Sequence, residues 1–281
     1  MEGPNHIFDR AVHAARILNA TGEATALLDR HIAQELAERM AVINRSFADT
    51  VLVAAHPSAA LQSLDEGGKC LKIRTLPPAP DDSLNLAENS TDCIISLLDL
   101  QTVNDVPGYL AQVARALRPD GLALLAFFAG DTLRELRETW LQAESELLPG
   151  VSPRVAPMID LRESGGLLQR AGLALPVADM DRVTLRYDNA LVLMSEVKAS
   201  GFSNPLAGRS RALTSRRMLQ RVAELYAEKH SDPDGRVRVT LDIAWAMAWK
   251  PHPSQQQPLK PGSAKMRLAD ALRIADDEKK D

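Results

Sequence analysis

The chain has 281 residues, of which 45% are hydrophobic and 25% are charged, and its formal net charge is −4. These proportions are ordinary for a globular protein that is long enough to bury one sizeable core. The negative balance argues against nonspecific binding of nucleic acid, which depends on neutralising phosphates with lysine and arginine. The sequence has no apolar run near the roughly 20 residues that a membrane-spanning helix needs.

Targeting signals and cysteine usage predict a cytoplasmic protein. The N-terminus has no charged segment followed by an apolar one, so we expect no export signal. Cys70 and Cys93 follow no metal-binding spacing and suit a reducing compartment. The histidines are not paired at the spacing of metal ligands either, so we expect no metal site.

The first 44 residues are predicted to be helical. Residues 6–18 suit a short helix, and residues 23–43 suit a stronger one, because their apolar side chains recur every three or four positions. Strands are predicted near 50–55 and 71–76, and two prolines end the second.

Buried strands and capped helices then alternate. Residues 93–98 and 122–128 are continuous apolar runs, which is typical of strands covered on both faces. Between them, a helix is predicted over residues 106–117, and either Asn104 or Asp105 can cap it.

The second half of the chain begins with two more predicted helices. Residues 132–148 open with the Thr-x-x-Glu spacing of a capping box, and a further helix covers 160–171. Strands are predicted at 175–186 and 236–249. The strict alternation of the last segment predicts an antiparallel strand at the edge of the sheet, with one solvated face.

This order of elements predicts one domain over residues 1–250, built on a mostly parallel, twisted α/β sheet. Helical additions are expected from residues 1–44 and from an insertion over 189–229, before the last strand. Residues 251–281 are polar and contain prolines, so we expect a flexible C-terminal tail.

Three segments resemble a known family. They are IFDRAVHAAR, VNDVPGYLAQVARALRPDGLALLAFFAGDTLRELR and DPDGRVRVTLDIAWAMAWKPHPSQQQPLKPGSAK. In sequence and in order they resemble the methyltransferase-like assembly factors of respiratory complex I, whose mitochondrial form is an arginine hydroxylase. The wider group includes the malonyl-carrier methyltransferase of biotin synthesis. The resemblance implies the Rossmann-like fold of class I methyltransferases, which use S-adenosylmethionine (SAM).

The glycine-rich loop that such a fold places after its first strand is absent. Residues 49–64 contain no glycine, and Ala54, Ala55, His56 and Ser58 stand where glycines would let the backbone approach the cofactor. The second strand also lacks the terminal acid that holds the ribose hydroxyls in the family. We therefore expect no bound cofactor, and SAM only if the pocket has been remodelled.

Asp99 and Gln101 follow the strand at 93–98, at the edge where α/β sheets bind ligands. We interpret them as a candidate pocket edge, although Asp99 also suits a simple strand-end turn. His56 has the chemistry of a general base, but a lone histidine without a placed carboxylate is more often a filler. No catalytic residue is assigned.

Two further segments are candidate sites for a protein partner. Asp131, Thr132, Arg134 and Arg137 follow the strand at 122–128, where the two arginines could pair with a partner's carboxylate. Capping of the next helix is the alternative explanation of Asp131 and Thr132. The tail adds three cations, namely Lys260, Lys265 and Arg267.

The sequence leaves three functions open. The leading one is a methyltransferase-fold pseudoenzyme that has lost ordinary SAM binding and acts as an assembly or interaction factor for respiratory complex I. The second is an active SAM-dependent or protein-modifying enzyme with a remodelled pocket, and the third is a carrier-protein carboxyl methyltransferase. The leading function implies a protein partner and neither nucleic acid nor a membrane span, while peripheral membrane association stays open.

Overall fold

A six-stranded sheet is the centre of the fold, in a computed structural model that describes residues 6–20 and 22–256. Its strands are β1 (Thr50–Val53), β2 (Ile73–Leu76), β3 (Thr91–Leu97), β4 (Leu117–Ala129), β5 (Ala174–Tyr187) and β6 (Val237–Trp249). The helices are α1 (Arg10–Leu18), α2 (Gly22–Ala41), α3 (Ser58–Gly67), α4 (Val106–Ala116), α5 (Arg134–Leu147), α6 (Leu161–Arg170), α7 (Ala190–Ala199) and α8 (Arg216–His230). A short 3-10 helix covers Leu100–Thr102.

The strand order is β2-β1-β3-β4-β6-β5. Strands β2, β1, β3 and β4 run parallel, while β6 is antiparallel to both β4 and β5. Parallel neighbours need crossover connections, and α3 and α4 supply them after β1 and β3. The predicted Rossmann-like sheet, mostly parallel and ending in an antiparallel edge strand, is confirmed.

Continuous apolar runs place β3 and β4 in the middle of the sheet. In β4 every residue from Leu122 to Ala129 is buried, and so is the run from Cys93 to Leu97 in β3. Helices α2 and α3 pack on one face of the sheet, and α4 and α6 pack on the other. Fully burying one leucine or isoleucine contributes roughly 1.5–3 kcal/mol, so these two layers account for most of the stabilisation of the sheet.

The last strand lies inside the sheet, so the prediction that it forms the edge is wrong. Strand β6 pairs on both sides and is buried along most of its length. Its second face begins with polar residues, but it continues with Ala244, Ala246 and Ala248, which pack into the layer of α4 and α6. The antiparallel edge strand is β5 instead, and its side chains alternate between half-buried and exposed.

Helix α5 begins at Arg134 rather than Thr132, and the predicted capping box does not form. Leu133 is the N-cap residue, in the left-handed conformation with φ 56° and without a side-chain cap bond. The Glu135 carboxylate does not reach back to Thr132. It accepts hydrogen bonds from the N–H and hydroxyl groups of Thr240 in β6. A buried carboxylate needs hydrogen-bond donors, and Thr240 of β6 supplies them to Glu135 in place of the backbone N–H of the predicted cap.

Other helix boundaries follow their sequence signals. Asp105, one of the two predicted caps, accepts from the N–H of Gly108 and begins α4. The segment between α7 and α8 returns to the N-terminus, where the Asp9 N–H donates to the Pro205 carbonyl at 2.8 Å. Among the described residues, every helix is too short or too polar to span a bilayer.

Gly201 is where this returning segment passes α1. Its φ is +79°, and a Cβ there would lie 2.7 Å from the Ile17 Cα and 2.9 Å from the Arg16 carbonyl oxygen. We expect Gly201→Ala to lower the free energy of unfolding by roughly 2–4 kcal/mol, because it combines left-handed strain with overpacking. Chemical denaturation measures this.

The control for this substitution is Gly208→Ala, since a Cβ at Gly208 meets open space. It is expected to change the free energy of unfolding by less than about 0.5 kcal/mol. Equal stability of the two variants would contradict the close approach of this segment to α1.

Candidate functional site

Two cavities lie at the carboxyl ends of the parallel strands, the edge where open α/β sheets bind ligands. The small cavity measures about 30 Å³ and is lined mainly by residues that follow β1 and β3. The large cavity measures about 270 Å³ and is lined by residues of β4, β5, β6 and the surrounding helices. Of the lining residues in the described part of the chain, Phe202 belongs to both.

The turn from β1 into α3 forms one side of the small cavity. Ala54 is buried and its N–H donates to the Leu76 carbonyl at 3.1 Å, so it continues the sheet. Pro57 is the N-cap residue of α3 and has no N–H to offer, while Ser58 is exposed. His56 lines the cavity, and its Nε2 has no partner among the described residues.

These residues do not fit a nucleoside cofactor as they stand. At about 10–15 Å³ per water, a cavity of about 30 Å³ holds roughly two waters, whereas ligand sites usually measure about 300–1,000 Å³. Strand β2 ends in Thr75 and Leu76, with no carboxylate at its end. Asp81 accepts from Ser83, and Asp82 lies against Arg10, so neither replaces that carboxylate.

Phe202 separates the two cavities. Its ring packs edge-on against Phe128 at 5.2 Å between centroids, and it lies 6.3 Å from the ring of His13. Gly201, directly before Phe202, has a φ of +79° and lies against the backbone of α1 at Arg16 and Ile17.

Asp99 is not a free pocket residue, since it forms a buried ion pair with Arg10. The two side chains are 1% and 3% exposed, and Arg10 Nη1 lies 2.5 Å from Asp99 Oδ1. Arg10 also donates to Thr102 Oγ1 and to the Ala79 carbonyl, and its Nε lies 2.8 Å from Asp82 Oδ1. The cluster fixes α1 against the loops that follow β2 and β3. The sequence gives no signal that pairs Arg10 with Asp99, because they are 89 positions apart.

Gln101 does line a pocket, but it is the large cavity. It is buried, its Nε2 donates to the Leu98 carbonyl at 2.7 Å, and its Oε1 has no partner among the described residues. Both ring nitrogens of His13 also lack one, although His13 is 1% exposed and lines the same cavity. Burial and the nearby Arg10 and Arg16 charges lower the pKa of His13 to about 4, so it is neutral at pH 7.

The turn before α5 is held together by ion pairs with β5. Asp131 Oδ2 lies 2.9 Å from Arg182 Nη2 and 3.4 Å from Arg134 Nη1, so its carboxylate is already paired. Thr132 is buried, and its Oγ1 accepts from the Asp242 N–H at 2.9 Å.

The two arginines of α5 have different environments. Arg137 Nη2 donates to the Ala156 carbonyl at 3.2 Å. Arg134, whose side chain is 47% exposed, is the more open cation of this turn. The structure therefore gives Thr132 and Arg137 structural contacts and leaves Arg134 accessible.

Asp242 and Arg182 are residues that sequence reasoning missed. Asp242 is buried in β6, and Arg182 Nε reaches its Oδ1 at 2.6 Å from the edge strand. Burial raises the pKa of the Asp242 carboxyl, but hydrogen bonds from Arg182 and the Asp131 N–H outweigh it, so the net direction is downward. The strand alternation put Asp242 on a solvated face, which hid this role.

The charged and phenolic groups at the large cavity already have partners. Arg154 lies 2.6 Å from the buried carboxylate of Glu144, and the Tyr187 hydroxyl donates to Glu196 at 2.9 Å. The rest of the wall is largely aliphatic or aromatic side chains. The cavity is therefore a mainly apolar space with a few fixed polar groups.

One set of residues in the described part of the chain has donor atoms close enough to hold a metal ion. His31, Glu35 and Asp181 place one ligand atom each within 4.8 Å of one another. His31 Nε2 is 2.8 Å from Asp181, and Glu35 forms an ion pair with Arg39. Each donor thus has a protein partner, and a cation would have to displace Arg39 and the proton between His31 and Asp181.

The predicted tail cations, Lys260, Lys265 and Arg267, lie outside the described residues. Within the described part of the chain, the turn before α5 carries the rest of the predicted partner surface, and Arg134 is its accessible cation.

Comparison with known proteins gives relatives of two kinds. The arginine-hydroxylase NDUFAF5 is 35% identical over 196 residues in Danio rerio and 36% over 196 residues in Homo sapiens, which is 70% of this chain in both cases. The alignments span 61% and 56% of those relatives' own length. The malonyl-[acyl-carrier protein] O-methyltransferase of Laribacter hongkongensis is 30% identical over 285 residues, covering 91% of each chain.

A family model and a solved structure agree with these relatives. The model of a methyltransferase domain matches residues 34–125. A Bacillus halodurans protein that is provisionally classified as a methyltransferase superposes with a TM-score of 0.50 at 11% identity, covering 78% of this chain and 99% of that one. At that identity the likeness concerns the fold alone.

The Arg10–Asp99 pair gives a stability prediction. Arg10→Ala leaves a buried, unpaired carboxylate, and we expect it to lower the free energy of unfolding by roughly 3–5 kcal/mol. The double variant Arg10→Ala with Asp99→Ala removes both charges, so it should be more stable than Arg10→Ala alone. Urea denaturation of both single variants and the double variant measures the coupling.

The control is Arg134→Ala, because exposed ion pairs contribute about 0–1 kcal/mol. Strictly additive effects of Arg10→Ala and Asp99→Ala would contradict the buried pair.

Proposed function

The chain belongs to the class I methyltransferase-like family that contains NDUFAF5 and malonyl-[acyl-carrier protein] O-methyltransferase, and from this premise we propose that it has lost ordinary SAM binding and acts as an assembly or interaction factor. The observation that carries the proposal is the small cavity at the carboxyl ends of β1 and β3, which measures about 30 Å³. A pseudoenzyme keeps the sheet and its helices while its cofactor space is filled by side chains.

Side chains from several helices and strands fill the space that a cofactor would occupy. Ala54 and Ala60 belong to the apolar core between the sheet and α2, so their methyl groups are part of the packing. Ile17 of α1 and Phe202 close the other sides of the cavity. Opening this space would separate packed elements, and one side-chain rotation would not be enough.

The loss of hydrogen-bond partners would weaken cofactor binding in addition to the loss of space. Each buried hydrogen bond that the cofactor fails to make costs about 1–3 kcal/mol. The missing carboxylate after β2 and the proline at the start of α3 remove at least two such partners. Together they weaken binding by roughly 30-fold to 20,000-fold, before any cost of opening the cavity.

A protein partner is supported by the names of the relatives and by the surface of the α5 turn. Proteins named arginine-hydroxylase NDUFAF5 match 70% of this chain, and we propose that the chain acts in the assembly of respiratory complex I. Arg134 is the accessible cation of the turn, while Arg182, half exposed beside it, is paired with Asp131 and Asp242. Arg134 suits an acidic segment of a protein partner. The cations in the sequence of the tail suit the same kind of partner.

A second function is favoured by the large cavity. A space of about 270 Å³ beside the catalytic edge of the sheet is what an enzyme with a remodelled pocket would keep for its substrate. In this alternative the chain is a SAM-dependent or other protein-modifying enzyme. Cofactor binding separates the two functions.

Calorimetry with SAM and with S-adenosylhomocysteine tests the loss of cofactor binding. We expect no saturable heat for either molecule up to millimolar concentration, because the small cavity holds only about two waters. The methyltransferase of Laribacter hongkongensis, at 30% identity, is the matched control for a chain of this fold. A dissociation constant in the micromolar range would overturn the proposal and favour the remodelled enzyme.

Complementation in the organism that encodes the chain tests the partner surface. We expect deletion to lower the amount of assembled complex I, wild type to restore it, and Arg134→Glu to restore it only in part. Its melting temperature should change little, because Arg134 is exposed. Removing residues 259–281 should weaken the rescue further.

The matched control is Arg162→Glu, an exposed arginine of α6 in the opposite helical layer. Full rescue by Arg134→Glu and by the shortened chain would rule out this surface. Normal complex I in the deletion strain would rule out the assembly role.

A further inference from the structure

The large cavity is a separate space from the cofactor side of the fold. Its wall is formed by α2, α7, the ends of β4, β5 and β6, and the segment that carries Phe202. Leu27 is exposed and His31 is one-third exposed, and both line the cavity, so it reaches the surface beside α2.

We propose that this cavity binds an uncharged amphiphile of about ten non-hydrogen atoms, with an apolar body and a head that both donates and accepts a hydrogen bond. The proposal goes beyond the loss of SAM binding and does not depend on it, because the two cavities have separate walls apart from Phe202.

The size of the ligand follows from the volume of the cavity. An engineered apolar cavity of about 150 Å³ takes up one benzene molecule, which has six carbon atoms. In proportion, about 270 Å³ accommodates about ten non-hydrogen atoms. The body of the ligand must be apolar, since side chains such as Leu185, Leu193 and Leu241 form its surroundings.

The head must be uncharged, because a charge of either sign is disfavoured at this wall. The guanidinium of Arg154 is held by Glu144, so an anion finds no free cation there. A cation beside His13 would lie near the positive charges of Arg10 and Arg16. A charged head would therefore be buried without a partner.

The head must also be polar, because His13 and Gln101 contribute unsatisfied groups. Both line the cavity and are nine-tenths or more buried. Neither ring nitrogen of His13 nor Oε1 of Gln101 has a partner among the described residues. Buried polar groups without partners are rare and costly. Neutral His13 offers one donor and one acceptor, and Gln101 offers an acceptor, so a primary amide or an alcohol complements them.

A matched pair of probes tests the head group. Octanamide and octanoate have the same chain and the same number of non-hydrogen atoms, and they differ in charge at neutral pH. Calorimetry on the full chain is expected to show saturable binding of octanamide and at least about tenfold weaker binding of octanoate. Equal affinity for the two probes, or no binding of octanamide, would overturn the proposal.

A matched pair of variants tests the location. Val197→Phe fills the cavity from α7, while Val192→Phe adds the same ring at a position on α7 that is 44% exposed and does not line it. Val197→Phe should abolish octanamide binding, and Val192→Phe should leave it unchanged. Melting curves confirm that both variants are folded, and unchanged binding by a folded Val197→Phe would contradict the assignment.

His13→Leu tests the polar contact without removing the cavity. It should weaken octanamide binding by about tenfold and leave the binding of butylbenzene, an apolar probe of the same number of non-hydrogen atoms, within about twofold. Equal losses for the two probes would show that His13 only shapes the wall, and the assigned head group would then be wrong.

Discussion

The buried ion pair between Arg10 and Asp99 is the interaction on which the rest of the ligand-binding edge depends. It fixes α1 against the loops that follow β2 and β3, because Arg10 contacts both loops and the Arg10 and Asp99 side chains are almost fully buried. Helix α1 then brings Ile17 into the small cavity and His13 against Phe202. A buried pair of charges is a weak source of stability but a strong constraint on geometry, since breaking it leaves one charge unpaired. The shape of both cavities is thus tied to a contact between the N-terminal helix and the sheet.

The two cavities differ in how far they depend on the backbone of the β1–α3 turn. The cofactor side depends on backbone that approaches a ligand closely. There Ala54 is buried in the core, and Pro57 at the start of α3 has no N–H to offer. The other side depends on the spacing between β4, β5, β6 and the added helices, which the missing glycines do not affect. The space of about 270 Å³ therefore persists, with neutral His13 and Gln101 in its wall.

Much of the fold could be predicted from the sequence, because its signals are local. Apolar runs identified the central strands, and the two candidate caps, Asn104 and Asp105, identified the start of α4 to within one residue. The position of β6 was mispredicted because alternation reports which faces are polar, and Ala244 to Ala248 are small enough to be buried on either face. The α5 capping box was mispredicted because Thr240, which is 105 positions from Glu135, competes for that carboxylate. The missing glycines identified the altered cofactor loop. No local pattern in the sequence predicts the Arg10–Asp99 pair, the Asp242–Arg182 pair or the position of His13 in the wall of the large cavity, because all three depend on long-range contacts.

The central claim is that side-chain packing has closed the cofactor side of the fold. Hydrogen exchange of the backbone amides of residues 54–64, measured with and without excess SAM, tests it most directly, because these amides would contact or lie beneath a bound cofactor. The account predicts identical exchange rates in the two samples. Slower exchange of these amides in the presence of SAM, with exchange unchanged in the distant helix α8, would contradict it.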